Sequence, residues 1–122
     1  MARFLKLARV GFVVGILGAV VAITSAVQAG SLRGQGGHRA SGTANVSGSS
    51  VKLGSNFKFD GGPDVYVAVS RPGQKIRLIG KLRKNSGAQA YRLPSGVKKG
   101  DVNRVVLWCK RYGVALGSAS VK

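Results

Sequence analysis

The stretch "DVYVAVS", residues 64–70, alternates without a break: Val65, Val67 and Val69 fall on one side, Tyr66, Ala68 and Ser70 on the other. A period of two marks a half-buried β-strand and does not fit the 3.6-residue repeat of a helix. From Gly42 onward the chain keeps to this pattern, with short runs of β-type residues separated by Gly, Asn, Asp and Pro. "GTANVSG" and "SSVKLGS" are expected to form a first pair of strands, with "NFKFD" a short third. "RPGQ" reads as a turn, because Pro72 presets the backbone and Gly73 follows in the favoured order. "KIRLIGKLRK" alternates again, "AQAYRLPSG" gives a strand ended by Pro94, and "GDVNRVVLWCKRYGVALGSASV" supplies two more, joined or bent near Gly113. The expected fold is therefore all-β: a small antiparallel β-sandwich or barrel of about seven or eight short strands.

The N-terminus is of a different kind. "MARFLKLAR" carries Arg3, Lys6 and Arg9, an uncharged apolar run follows, and "TSAVQA" ends in small residues. That order describes a secretory signal helix over residues 1–29 with cleavage after Ala29, a retained anchor being the alternative. Contact with a membrane is expected only if the segment is retained. An exported protein, periplasmic or extracellular, is the consequence. "GSLRGQGGHRASG" then reads as a flexible Gly-rich and basic leader over 30–41, with the β domain at 42–122.

Removing Arg3, Lys6 and Arg9 lowers the formal charge from +17 to +14. Such a balance bears on partners and not on fold, and points to an anionic lipid surface, an acidic polysaccharide or an acidic protein. Nucleic acid is not an expected neighbour outside the cytoplasm. Lys75, Arg77, Lys81 and Arg83 share a parity and are expected to form a basic stripe on the outer face of their strand.

Cys109 is the only cysteine, so no internal disulfide can form and no lipid-modified cysteine follows the apolar run. It is an intermolecular pairing site, a reactive thiol or a buried small hydrophobe. Nearby positive charge makes a thiol reactive, and Lys110 and Arg111 follow it, although in a strand Lys110 points to the opposite face. Trp108 also faces away from Cys109 and is expected in a core, a surface stacking platform for a sugar or haem edge being the other reading. Asp60 and Asp64 frame "DGGPD", where two carboxylates are few for a hard cation and turn formation is the expected role. His38, the only histidine, sits in the leader without Cys or His neighbours, so no metal site is expected. No Ser-His-Asp arrangement is present, and a stand-alone hydrolase is not expected.

Three blocks, "FKFDGGPDVYVAVS", "GKLRKNSGAQAYRLPSG" and "VVLWCKRYGVALGSASV", with "SGTANVS" upstream, resemble the DM-thirteen domain, an electron-transfer family. The most specific pieces are Gly-Pro-Asp before a strand, the Asn-x-Gly-x-Gln-x-Tyr-x-Leu-Pro run, and Trp-Cys followed by Gly-Ser-Ala. The resemblance implies a small all-β extracellular or periplasmic domain. Its animal members stand beside haem-binding and b-type cytochrome domains, so a redox protein or haem-containing partner is implied. It also implies that Cys109 is the redox thiol. Ala115-Leu116 stands before Gly117 where the family usually has an aromatic residue. Two functions follow: a redox-associated accessory domain acting through Cys109, or a basic module for an anionic partner with the cysteine purely structural. The sequence names no cofactor.

Overall fold

A computed structural model describes residues 28–122. The expected signal helix, residues 1–29, lies outside the described residues apart from its last two positions. In chain order the strands are β1 (Gln28–Ser31), β2 (Arg33–Gly34), β3 (Ala40–Ser41), β4 (Thr43–Ser47), β5 (Ser50–Leu53), β6 (Lys58–Phe59), β7 (Val65–Ser70), β8 (Arg77–Lys81), β9 (Gln89–Arg92), β10 (Arg104–Cys109) and β11 (Val114–Ser120). Among the described residues, one 3-10 turn, Lys99–Asp101, precedes β10.

The strands pair antiparallel in an open five-stranded sheet, β8-β7-β10-β11-β2, and a four-stranded sheet, β9-β5-β4-β1, with β3 and β6 a small third pair. The sandwich alternative therefore holds and the sheets do not close into a barrel. One core lies between them. Val46, Val51 and Leu53 of the smaller sheet meet Val67, Val69 and Leu107 of the larger, joined by Phe57 and Val102 from the connections. Burying each such side chain contributes roughly 1.5–3 kcal/mol, so the alternation decides which face of each strand turns inward. Between β4 and β5 the hairpin loop is only Gly48-Ser49, and Gly48 supplies the positive φ of 60° that so tight a connection needs.

Residues 30–41, expected to be a flexible leader, instead belong to the folded body. β1 pairs with β4, β2 pairs with β11, and Leu32 between them is buried in the core. The Gln28 amide donates to the carbonyl oxygens of Val102 and Val121, tying the segment to the far end of the chain. Strand pairing runs through backbone groups, which Gly, Ser and Arg residues supply as well as any others.

The basic stripe is corrected as well. The register of β8 on β7 shifts between Leu78 and Gly80, placing Arg77 opposite Val69 and Lys81 opposite Tyr66. Directly paired residues share a face, and Val69 and Tyr66 point to opposite faces. The extra residue, Ile79, thus sends Arg77 and Lys81 to opposite sides of the sheet. Lys75 is exposed in the connection before β8, and Arg83 lies beyond its end.

Candidate functional site

Cys109 ends β10 on its inward face, opposite Val65 of β7, and is 1% exposed. Its Sγ–H donates to the carbonyl of Pro63 at 3.2 Å, across 46 residues of chain. A thiol is a weak donor that packs as a small hydrophobe, and both properties are used here. Asp60, Gly61, Gly62, Pro63 and Asp64 thus form a strap across the end of the strand pair that carries the sulfur.

Each end of the strap is fastened. At the first, the Asp60 carboxylate accepts from the Arg39 backbone N–H at 3.0 Å and lies 3.0 Å from Nδ1 of His38. Asp60 also donates its own N–H to the Arg39 carbonyl at 3.0 Å. The Arg39 N–H is the main reason the Asp60 carboxyl is held below the ordinary aspartate value; desolvation opposes it, and His38 adds to the lowering. At the second end, the Asp64 carbonyl accepts from the Lys110 N–H at 3.0 Å, and Lys81 Nζ stands 3.7 Å from the Asp64 carboxylate. Asp64 has a φ of 53°, the left-handed region, which Asp tolerates better than branched residues do. In the middle, a side chain at Gly62 would meet Leu116 at 2.8 Å and Val65 at 3.3 Å, so the strap lies directly on the core.

The structure therefore brings Asp60, Asp64 and Cys109 together, with Lys81 beside Asp64, and leaves Trp108, Lys75, Arg77 and Arg83 outside the strap. Trp108 is not in the core: it is half-buried on the outer face of the larger sheet, opposite Tyr66 and Ala115. Arg83 is architectural. Its backbone N–H donates to the Tyr91 hydroxyl at 3.0 Å, its guanidinium bonds the Ala90 carbonyl, and its charge lies 4.3 Å from the centre of the Tyr91 ring. Gln89 bonds the Lys84 backbone in both directions, so the Asn-to-Pro run shapes a loop and carries no reactive group of its own. Sequence reasoning missed His38 and Pro63 as partners of the site; only Asp60, a carboxylate able to receive a histidine, hinted at the first. Among the described residues, no group of three or more His, Cys, Asp or Glu side chains gathers to hold a metal ion.

Fold and site together define a small two-sheet antiparallel domain with one thiol screened beneath a Gly-Gly-Pro strap. The chain belongs to the family described as Electron transfer DM13, whose model matches residues 32–121. No curated protein and no solved structure matches the chain.

Proposed function

We propose that the chain is an exported, redox-linked accessory domain whose working group is the Cys109 thiol, with the Asp60–Asp64 strap controlling access to it. The supporting observation is the hydrogen bond from Cys109 Sγ to the Pro63 carbonyl, which joins two of the three motif blocks in one place. Family membership supports the redox reading, and the basic-apolar-small order of the N-terminus supports export.

One cysteine cannot cycle alone between dithiol and disulfide, so the partner must bring sulfur of its own. With the strap lifted, Cys109 loses its proton to solvent and its thiolate attacks one sulfur of a partner disulfide. A new S–S bond forms as the partner's bond breaks, and the departing sulfur leaves as a thiolate. An incoming thiol reverses the step. A redox protein, including a haem-containing one with a reducible disulfide, is the class of partner this chemistry fits.

The test is the alkylation rate of Cys109 in the full chain, native and denatured, for wild type and Asp60→Ala. Slow native reaction, several-fold faster in Asp60→Ala with its unfolding transition retained, is the expected result. A thiol silent in both folded proteins, reacting only on denaturation, makes Cys109 a core residue and overturns the reading. The second reading, a module for an anionic partner, is favoured by the formal charge, which falls only from +17 to +14 without Arg3, Lys6 and Arg9.

A further inference from the structure

The outer face of the five-stranded sheet is a second surface with its own chemistry. Across it, the register aligns Lys81, Tyr66, Trp108 and Ala115 in one row. Tyr66 and Trp108 are directly paired and part-exposed, and neither belongs to the core cluster. Their neighbours Ala115 and Ala68 are small, and Lys110 Nζ stands 5.4 Å from the centre of the Tyr66 ring. Four residues along β10 from Trp108, about 13 Å at the rise of a strand, is Arg104. It borders a groove of about 460 Å³ lined by Ser31, Arg33, Gln35, Ser118 and Ser120. Arg104 Nη1 donates to Ser118 Oγ at 3.2 Å, and no acidic side chain lines the groove.

We propose that this face binds an acidic polysaccharide, a chain of uronate-type sugars. The C–H side of a sugar ring suits the electron-rich face of Trp108 or Tyr66. Sugar hydroxyls suit the serine hydroxyls and the Gln35 amide, and carboxylates suit the guanidinium forks of Arg33 and Arg104. The separation of the aromatic pair from the arginines calls for an extended ligand and not a single ion. A lipid surface would need protruding apolar side chains. Of the two large exposed hydrophobics among the described residues, Tyr112 lies in the turn between β10 and β11 and Val114 at the first position of β11 opposite Cys109, neither in the row on this face. The inference uses nothing of the thiol chemistry and stands or falls apart from it.

The experiment is calorimetric titration of the full chain with polygalacturonate, and with dextran, polyphosphate and phosphatidylglycerol vesicles as companions. Fluorescence of Trp108, the only tryptophan, is the second readout in the wild type. Arg33→Glu and Trp108→Leu are expected to weaken polygalacturonate binding about tenfold or more, as loss of a charge-assisted contact does. Lys52→Glu makes the same charge change as Arg33→Glu on the exposed side of the opposite sheet, and is expected to cost less than about twofold at moderate salt. Arg33 lies on an exposed two-residue edge strand, so its variant keeps the test valid if Trp108→Leu fails to fold. Equal losses in Arg33→Glu and Lys52→Glu, or polyphosphate binding as tight as polygalacturonate, would reveal only a general polycation. Absence of polygalacturonate binding, or vesicle binding in its place, overturns the proposal.

Discussion

Asp64 carries several duties in one residue. Its backbone occupies a left-handed conformation, its carbonyl holds the Lys110 N–H, and its carboxylate faces Lys81. A left-handed conformation costs a residue with a Cβ about 1–2 kcal/mol, and a β-branched side chain stands at the unfavourable end. Asp already bears most of that cost, so Asp64→Val is expected to lower stability by the excess of a branched side chain, on the order of 1 kcal/mol, while Asp64→Gly, which relieves the backbone, costs less. Urea unfolding of the two variants checks this ordering; equal losses would mean that the carboxylate and not the backbone matters. Lys81 adds little by comparison, since a part-exposed pair at 3.7 Å is weak in water.

At the level of the element, the strap is fixed to the body by a titratable contact. Folding lowers the Asp60 pKa, so the unfolded chain binds that proton more readily than the folded one. The stability from this contact is complete above the ordinary aspartate value of 3.8 and is lost as the pH falls through the lower folded value. The gap in urea midpoint between wild type and Asp60→Asn should accordingly be widest near neutrality and close as the pH drops below about 3.8. A gap unchanged by acid would show that the carboxylate charge is not what holds the strap. Little of this was legible in the sequence. β7 was, because Val65, Val67 and Val69 alternate without interruption. The bulge at Ile79 was not, since a single inserted residue leaves no mark in a pattern until the partner strand is known. The strap and the thiol could each be picked out by motif, but their contact spans 46 residues, and the His38 contact that anchors it looked like a lone histidine in a loose segment.

For the whole molecule, the unexpected contributor is the segment 28–41, made of small, polar and basic residues around Leu32 and still built into the sandwich. Leu32 is 4% exposed in the core, so Leu32→Ala is expected to cost about 2–5 kcal/mol, a large share of what a domain of this size has. Thermal unfolding of the full chain measures it, and a change within about 0.5 kcal/mol would mean the segment is only loosely attached. The two-residue strand β2 has a further consequence, which concerns the molecule's behaviour in a crowd. It pairs with Gly117 and Ser118, the middle of β11, and so occupies a boundary of the sheet that would otherwise be open. At the opposite boundary β8 carries Arg77, Lys81 and a bulge, which discourage lateral addition. If β2 peels away, β11 presents an unpaired row of N–H and C=O groups beside small, easily approached residues, a ready template for the same strand of a second copy. The plain-looking Arg33-Gly34 pair is in this sense a guard against polymerisation.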